Sequence, residues 1–391
     1  MRDHISTIKF CFMRHLGVIA IVIAIMSCSC SSPAPQSSGS DESLIKVGVF
    51  DGHGGAQTCI WEAVEAIKID KGMTVRLVTT SDIAGGCLDS LDAIIVPGGG
   101  GSRQYLNLGH ENHERIRVFI ANGGGAVGIC AGAYLFSSTP GYASMALNGA
   151  QAIDIEHDNR GHGLAKFTLS DEGKTIFPEL ASRDTSFVVY YEGPVFVEAQ
   201  DTITYTSFAT MESDVHEQGN APANMTNGKP FFIGNYFGKG RVFSSIAHPE
   251  ATPGMRWMIP RMVRWTLDRE FVAYGQNAVR PDLFEQEILF TRDRLRQESA
   301  CYPTFLYGTP EDKIEALNWL ESNVSWEAKR WVQGLLFDSS ADVRVRAAEY
   351  VANSEFTRYL PDLRNAVRNE KDPAAREKMS ASLSFLEGVL R

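Results

Sequence analysis

The sequence has no excess of positive charge. Its 37 lysine and arginine residues are outnumbered by 47 aspartate and glutamate residues, which gives a formal net charge of -10 at pH 7. A chain with this charge repels phosphate backbones, so we predict that nucleic acid is not a partner. Wholesale disorder is excluded as well, because 44% of the residues are hydrophobic. The 391 residues are enough for one large domain and one smaller domain.

The amino terminus lacks a hydrophobic run long enough to span a bilayer comfortably. Its apolar run covers residues 16–26 only, and three basic residues precede it. This pattern is typical of an export signal. The Ser-Cys-Ser-Cys segment that follows resembles the lipobox of bacterial lipoproteins, with Cys28 as the favoured site of lipidation and Cys30 as the second choice.

These features predict a lipoprotein signal peptide over residues 1–27 and a flexible linker over residues 28–43. The chain would then be lipid-anchored in the bacterial cell envelope, facing either the periplasm or the cell surface. The membrane would be its partner through that lipid anchor. A plain secretory signal followed by a linker remains the alternative.

Cysteine patterns that staple small domains or bind zinc are also absent. The chain has seven cysteines, but Cys11 lies in the predicted signal and either Cys28 or Cys30 would carry lipid. Cys59 and Cys87 would be able to pair in an oxidising compartment, yet neither lies in a cysteine-dense domain, so buried free thiols are the default expectation. No C-x-x-C or H-x-x-x-H spacing supports a zinc site, and we expect no metal and no cofactor.

From residue 44 onward, short β-branched runs alternate with longer amphipathic segments. This alternation predicts an α/β domain with a mostly parallel sheet covered by helices. Strands are predicted over residues 45–50, 74–79, 93–96, 125–129, 167–169, 187–191, 195–197, 202–206, 231–236 and 241–245. Helices are predicted over residues 59–70, 113–121 and 256–267, and one begins at Cys130.

Strand patterns are expected to end at residue 268, after which helical periodicity continues to the carboxyl terminus. A connecting segment over residues 270–309 and an all-α domain over residues 310–391 are predicted, with helices at 310–322, 327–336, 341–351, 360–369 and 374–390. Residues 342–348 followed by 360–364 resemble a HEAT repeat. A solenoid that binds a protein partner and a compact cap on the preceding domain are both consistent with this pattern.

The sharpest local motif is the G-x-C-x-G sequence Gly128-Ile129-Cys130-Ala131-Gly132 between a predicted buried strand and a helix. Such a turn forces its central residue into a strained conformation that presents the side chain above the sheet, and the neighbouring residues must be small. The amino end of a helix also favours a thiolate. A glycine-rich turn around a buried cysteine is the alternative interpretation of this motif on its own.

A second motif, His248-Pro249-Glu250, follows the last predicted strand. A thiol nucleophile needs a base within hydrogen-bond reach and a third group that orients the base. The chain order Cys, His, Glu, with one residue between the last two, resembles that of the class I glutamine amidotransferases. We therefore predict a flavodoxin-like sheet of that superfamily, with Cys130, His248 and Glu250 as a catalytic triad.

The glycine run over residues 97–101 resembles the oxyanion strand of the same superfamily. The resemblance implies that backbone amides at Gly99 or Gly100 and at Ala131 bind a tetrahedral oxyanion. A tight turn from strand to helix is the alternative, because glycine serves that purpose equally well.

Three segments resemble blocks of the biotin-protein ligase N-terminal domain-like group: V-G-I-C-A-G-A-Y over residues 127–134, Y-Y-E-G-P over 190–194 and H-P-E over 248–250. The resemblance covers residues 44–269, and no ligase catalytic module follows. Glutamine-using members of the superfamily usually carry glutamine where this chain has Tyr134, and the protease-like branch usually has histidine where this chain has Ala131. No ATP-grasp, P-loop or synthetase segment is present to accept ammonia.

Several polar side chains are candidates for substrate contact. Asp51 and His53 follow the first predicted strand at the carboxyl edge, where ligands bind in open α/β sheets. A polar cluster further along lacks the spacing of metal ligands, so we expect it to form a solvated loop; its members are Asp154, Glu156, His157, Asp158 and His162.

Four residues of the resemblance blocks are further candidates for the wall of a substrate pocket: Tyr134, Tyr190, Tyr191 and Glu192. Core and edge packing explains two tyrosines on a strand equally well.

The leading functional hypothesis is a lipid-anchored cysteine hydrolase that acts on an amide, peptide or related acyl bond through a thioester on Cys130. Its substrate would be a small molecule or a peptide. A catalytically silent ligand-binding or scaffold lipoprotein, which recruits a protein partner through its helical tail, is the alternative. A glutaminase-type subunit of an amidotransferase is a second alternative, which Tyr134 and the export signal disfavour.

Overall fold

The structure, a computed structural model, describes residues 43–200, 202–219 and 221–391. The predicted signal peptide and the lipidation candidates Cys28 and Cys30 lie outside these residues. Within the described ranges, no helix has both the length and the apolar character that crossing a membrane requires.

Strands and helices alternate over the first part of the fold. The elements are β1 (Ile45–Phe50), α1 (Gln57–Ile67), β2 (Met73–Val78), α2 (Thr80–Ala84), β3 (Ala93–Val96), α3 (Gly101–Ala121), β4 (Gly125–Ile129) and α4 (Ala131–Phe136). The observed bounds of β1, β3 and β4 coincide with the predicted ones. Helix α3 begins twelve residues before the predicted start at residue 113 because it continues across a kink at Gly109, whose φ of 73° is left-handed.

The next part of the chain is mostly strands. The elements are β5 (Ala150–Ala152), β6 (His162–Leu169), α5 (Asp171–Ile176), β7 (Ser186–Tyr191), β8 (Phe196–Glu198), β9 (Thr206–Met211), β10 (Pro230–Phe237), β11 (Gly240–Ser245) and α6 (Met258–Thr266). The strand predicted at residues 202–206 was misplaced, since the pairing segment is β9. Phe208 and Met211 supply buried side chains there, whereas residues 202–206 are largely exposed.

The carboxyl-terminal part is helical after one short strand. Its elements are β12 (Ile288–Leu289), α7 (Arg292–Tyr307), α8 (Pro310–Ser322), α9 (Lys329–Leu335), α10 (Ala341–Asn353), α11 (Leu360–Asn369) and α12 (Pro373–Val389). We call α7 to α12 the helical region. The expectation that strands end at residue 268 was wrong, because β12 pairs with β6, and the helices begin at Arg292 rather than at residue 310.

One ten-stranded sheet joins most strands in the order β12-β6-β9-β10-β11-β4-β3-β1-β2, with β7 also paired to β6, and β5 and β8 form a separate pair. The strands from β11 to β2 run parallel to their neighbours, and the pairs beyond β11 are antiparallel. The predicted class, an α/β domain followed by an all-helical region, is confirmed. The carboxyl ends of β1, β3, β4 and β11 all meet at one edge.

Helices cover both faces of the parallel strands. In β3, Ala93 and Ile95 pack into a core shared with α1 and α6, while Ile94 and Val96 pack into a second core shared with α3. A central strand that is buried on both faces has to be apolar throughout, which explains the uninterrupted apolar run of β3.

The helical region has a hydrophobic core of its own. It packs against the α/β domain through apolar side chains, such as Val324 and Trp326 on the buried residues of β6 and β7, and through buried charges. Lys329 Nζ lies 2.5 Å from Glu62 Oε1 on α1, and Arg256 lies 2.9 Å from the second oxygen of the same carboxylate. Thr357 donates a hydrogen bond to Glu65 at 3.0 Å. These contacts favour the interpretation that the helices cap the preceding domain; partner binding by this region stays a prediction.

Candidate active site

Cys130 lies at the bend between β4 and α4. Its backbone has φ 52° and ψ -107°, a conformation that is strained for a residue with a side chain. Gly132 makes the bend possible, because a Cβ atom at that position would lie 2.0 Å from the carbonyl oxygen of Val96. The expected strained turn is therefore present, and its thiol lines a cavity at the carboxyl edge of the sheet.

The pairing of β11 with β4 brings the second motif to this bend. Ile129 is the register partner of Ser245, and the Cys130 N–H donates to the Ser245 carbonyl at 2.8 Å. Three residues beyond Ser245, His248 is buried beside Cys130, and its Nδ1 lies 2.8 Å from Glu250 Oε1. The three residues of the predicted triad are thus close together in space.

The charges around His248 favour its protonated form. Burial by itself lowers the pKa of His248, but the negative charges of Glu250 and of a Cys130 thiolate, together with hydrogen bonds to both groups, outweigh burial and raise it to about 10. The surroundings of the ring therefore favour an imidazolium that lies between the Cys130 sulfur and the Glu250 carboxylate. This arrangement is suited to a thiolate nucleophile whose proton is held by its neighbour.

The His248 ring lies between the backbone at Gly98 and the side chain of Trp326. On one side, a Cβ atom at Gly98 would lie 2.8 Å from His248 Cε1, so the backbone approaches the ring closely. On the other side the Trp326 ring packs edge-on, with 4.5 Å between the ring centroids. Sequence reasoning missed Trp326, because no local motif marks a single tryptophan in a helical segment as part of a distant site.

Two of the three predicted oxyanion amides are available. The Gly100 N–H donates to the Gly54 carbonyl at 2.7 Å, so this amide is already occupied. The amides of Gly99 and Ala131 make no hydrogen bond to another described residue. Gly99 has a φ of 143°, and a Cβ atom there would lie 2.2 Å from the Gly54 carbonyl oxygen, which explains the glycine. An oxyanion role for the amides of Gly99 and Ala131 stays a prediction, whereas the amide of Gly100 is already hydrogen-bonded within the fold.

A cavity of about 460 Å³ opens above Cys130. This volume suits a small molecule or a short extended segment of peptide. Tyr134, Tyr191 and Glu192 line it, as predicted from sequence, and the helical region contributes Trp326 and two charged neighbours. The complete lining consists of Ala56, Thr58, Cys59, Gly99, Gly100, Gly101, Ser102, Arg103, Cys130, Ala131, Tyr134, Tyr142, Ile155, Asp158, Tyr191, Glu192, His248, Trp326, Glu327 and Arg330.

Three predicted substrate contacts lie away from this cavity, which corrects the expectation for Asp51, His53 and Tyr190. Asp51 extends the pairing of β1 with β2 by donating its N–H to the Val78 carbonyl. His53 is exposed on the loop after β1. Tyr190 is fully buried, and its hydroxyl donates to the Gly193 carbonyl at 2.7 Å. Strand alternation points Tyr190 into the core and leaves the next residue at the cavity.

The Glu192 carboxylate lies in the cavity wall and has no hydrogen-bond or ion-pair partner among the described residues. Glu192 has a φ of 51°, a strained conformation for glutamate. Desolvation, with a smaller contribution from Asp158, raises the pKa of Glu192 to about 7, although Arg160 acts in the opposite direction. Its charge therefore changes near neutral pH. The residue is close to the thiol in space, since the carbonyl of the preceding Tyr191 accepts a hydrogen bond from Cys130 Sγ at 3.4 Å.

The polar cluster over residues 154–162 is not a simple solvated loop. Asp154 is fully buried, lies 2.6 Å from Arg160 and accepts a hydrogen bond from the hydroxyl of Tyr134. His162 is stacked between Tyr191 and Phe290, and burial lowers its pKa to about 4. The expectation was wrong for these two residues, because a buried arginine and aromatic rings from distant segments enclose them. Asp154 thereby fixes the ring of Tyr134 at the cavity wall.

The cysteines of the fold are unpaired. Cys59 and Cys87 are both free, as are Cys130 and Cys301, so the disulfide alternative for Cys59 and Cys87 is not realised. Cys59 is buried and lines the cavity close to Cys130. Burial, followed by the nearby charges of Glu250 and Cys130, raises the pKa of Cys59 well above its ordinary value.

Comparison with known proteins identifies one family. The family model described as "Biotin-protein ligase, N terminal" matches residues 45–264. No curated protein matches the chain.

Solved structures with similar coordinates have low sequence identity. The glutaminase domain of CTPS from Trypanosoma brucei, solved with bound acivicin, is 11% identical over 61% of this chain and 100% of its own, with a TM-score of 0.39. Cytoplasmic protein STM1381 from Salmonella typhimurium LT2 is 11% identical over 57% of this chain and 98% of its own, with a TM-score of 0.38. A ThuA-like protein from Bacteroides uniformis is 11% identical over 60% and 95%, with a TM-score of 0.37.

Proposed function

The chain belongs to the biotin-protein ligase N-terminal family, and on that premise we propose that it is a cysteine hydrolase of amide, peptide or related acyl bonds. The observation that carries the proposal is the buried His248–Glu250 pair, with 2.8 Å between Nδ1 and Oε1, beside a cysteine held at a strained bend. A thiol, a base and an orienting carboxylate in this order are the parts that acyl transfer needs.

The proposed reaction starts from the thiolate of Cys130, whose proton is held by His248. The sulfur attacks the carbonyl carbon of the substrate, and the carbonyl oxygen becomes an oxyanion that the amides of Gly99 and Ala131 stabilise. The bond to the leaving amine or alcohol then breaks, and His248 donates its proton to the leaving group. The product of this half-reaction is a thioester on Cys130.

Water completes the cycle. Neutral His248 takes a proton from the water molecule as its oxygen attacks the thioester carbon, and the carbon–sulfur bond breaks. The carboxylic acid leaves, and the proton on His248 again faces the thiolate of Cys130. Throughout the cycle, Glu250 accepts a hydrogen bond from Nδ1–H of His248. This hydrogen bond keeps the ring in the orientation that both proton transfers need.

The size and walls of the cavity support a small-molecule or peptide substrate. A volume of about 460 Å³ excludes a folded protein domain. Tyr134, Tyr191 and Trp326 contribute aromatic rings to the cavity wall, and Glu192 adds a carboxylate whose pKa is raised to about 7.

Labelling and activity of Cys130 variants test this proposal. An electrophilic thiol probe should modify Cys130 faster than Cys59, Cys87 or Cys301, as measured by peptide mass spectrometry. A panel of amide, ester and thioester substrates should be hydrolysed by the wild type and not by Cys130→Ser, while Cys301→Ser, on the distant helix α7, serves as the matched control. Equal labelling of all four thiols would contradict the proposal.

The same variants separate the proposal from its alternatives. A binding or scaffold protein would keep its cellular function in Cys130→Ala, whereas a hydrolase would lose it. A glutaminase subunit would release ammonia from glutamine, and a hydrolase of other substrates would not.

We also propose that the protein is anchored to the bacterial envelope by lipid on Cys28. Metabolic labelling with a fatty-acid analogue should be lost in Cys28→Ala and retained in Cys30→Ala. Loss of the label in Cys30→Ala alone would move the anchor to Cys30, and an unlabelled wild type would refute the anchor.

A further inference from the structure

Cys59, His248 and Glu250 form a cluster of metal-binding side chains, of which the proposed reaction uses only two. The Cys59 sulfur, a ring nitrogen of His248 and a carboxylate oxygen of Glu250 all lie within 4.8 Å of one another, and all three residues are buried. Among the described residues, no other group of three such side chains comes this close. Cys59 is on α1, and its thiol is free of any disulfide.

One oxygen of the cluster lacks a partner. Glu250 Oε1 is paired with His248 Nδ1, but Oε2 is buried and makes no hydrogen bond to any described residue. Buried carboxylate oxygens in native proteins nearly always have a partner, because leaving one desolvated and unpaired is costly. A cation beside Glu250 would satisfy this oxygen.

We infer that Cys59, His248 and Glu250 bind a thiophilic divalent cation such as Zn²⁺, and that this binding switches off the chemistry of Cys130. Thiolate, imidazole and carboxylate are all ligands of Zn²⁺. Tetrahedral Zn²⁺ with bonds of about 2.0–2.3 Å holds its ligand atoms about 3.3–3.8 Å apart, so the cluster has to contract by about 1.5 Å at most. Cys59 and His248 both line the cavity, which gives the ion a path from solvent.

Metal binding and acyl transfer exclude each other because both need the same nitrogen lone pairs. On binding, the Cys59 thiol and the protonated His248 ring each release one proton to solvent, and His248 ligates through the nitrogen that has lost its proton. Ligation through Nδ1 replaces the bond to Glu250. Ligation through Nε2 occupies the position that would take the proton of Cys130. This inhibitory part of the inference rests on the proposed hydrolase function, whereas metal binding itself does not.

Titration of the full chain with Cd²⁺ and Zn²⁺ tests the binding. Cd²⁺ binding should produce an ultraviolet thiolate-to-metal charge-transfer band that saturates at one equivalent of Cd²⁺. This band is expected in the wild type, in Cys130→Ser and in the control Cys301→Ser. Cys59→Ser should lose the band, and its Zn²⁺ affinity, measured by competition with a chromophoric chelator, should fall by more than about 100-fold. Circular dichroism melts check that each variant is folded. A band that survives in Cys59→Ser, or is absent from the wild type, overturns the inference.

Alkylation of Cys130 separates this inference from the proposed function. In the wild type, Zn²⁺ should slow the modification of Cys130 by iodoacetamide at least tenfold. In Cys59→Ser, the rate of modification should be the same with and without Zn²⁺. If the protein shows the Cys59-dependent band but has no hydrolase activity, the metal site is supported and the proposed function is contradicted. If the protein is an active hydrolase but shows no band, the proposed function is supported and the metal site is contradicted. Equal slowing in both proteins overturns the role of Cys59.

Discussion

The carboxyl edge of the parallel strands and the helical region hold their parts of the site by different means. At the sheet edge, main-chain hydrogen bonds between β4 and β11 set the separation of Cys130 from His248. The helical region brings Trp326 to the same imidazole through side-chain contacts: apolar packing on β6 and β7, and buried charges on α1 such as the pair of Lys329 with Glu62. Strand register is difficult to shift by one substitution, whereas a buried ion pair is lost when either partner is removed.

This difference suggests that the two regions have different roles in the site. The reacting groups are on the part of the fold that strand pairing holds in place, and the helical region contributes one part of the cavity wall, formed by Trp326, Glu327 and Arg330. Substitutions at the sheet edge should therefore change the chemical step, and substitutions in the helical region should change cavity shape and stability.

The largest expected effect is at the sheet edge, for Glu250→Gln. The amide is close in size to the carboxylate but no longer enforces the Nδ1–H tautomer of His248, so kcat should fall by about 10³- to 10⁴-fold with the fold intact. Steady-state kinetics with any substrate found in the panel measures this. The exposed Glu198→Gln is the matched control and should keep the wild-type rate. A fall below tenfold in Glu250→Gln would show that the carboxylate does not orient the base.

The next effect concerns the attachment of the helical region. Glu62→Ala leaves Lys329 and Arg256 buried without their shared carboxylate, so the free energy of unfolding should fall by about 3–5 kcal/mol. Chemical denaturation measures this. The control is Glu327→Ala, because the pair of Glu327 with Arg330 is largely exposed and its loss should cost less than about 1 kcal/mol. Equal losses in the two variants would remove the contrast between buried and exposed attachment.

A smaller effect is expected where the two regions meet. Trp326→Ala removes the ring that packs against His248 and should lower kcat/KM by about tenfold to 100-fold, because a displaced imidazole transfers protons poorly. Trp326→Phe keeps an aromatic ring at this position and should recover most of the rate. A positioning role also predicts an altered pH profile in Trp326→Ala, whereas a purely structural role predicts a changed melting temperature with an unchanged profile.

The smallest effect is a pH dependence at Glu192. Its pKa of about 7 means that the carboxylate is neutral below and charged above that pH. The ratio of labelling rates of Cys130 by a cationic and a matched neutral chloroacetamide should therefore rise severalfold between pH 6 and pH 8, since one unit charge at close range contributes about 1 kcal/mol in a solvated cavity. In Glu192→Gln the ratio should stay constant. A wild-type ratio that does not change with pH would contradict the assigned titration.

Local patterns were enough to predict the sheet edge. The apolar run of β3 and the glycine-flanked Cys130 are visible in the sequence, because a strand that is buried on both faces is apolar throughout and a strained bend needs small neighbours. The chain order of Cys130, His248 and Glu250 predicted a triad, and the parallel pairing of β11 with β4 brings these residues together.

The remaining features of the site could not be predicted from the sequence, because they depend on contacts between distant segments. Residues next to each other on a strand, Tyr190 and Tyr191, differ in role because the sheet turns one into the core and the other to the cavity. Trp326 acquires its position from packing on the buried residues of β6 and β7, and Cys59 acquires its neighbours His248 and Glu250 from the approach of α1 to the end of β11. The sequence by itself determined strands β1, β3 and β4 and the bend that carries the thiol, since apolar runs and a cysteine between small residues can be recognised locally. Only the tertiary structure decided what surrounds that thiol, because charge pairing and ring packing between distant segments leave no periodic trace along the chain.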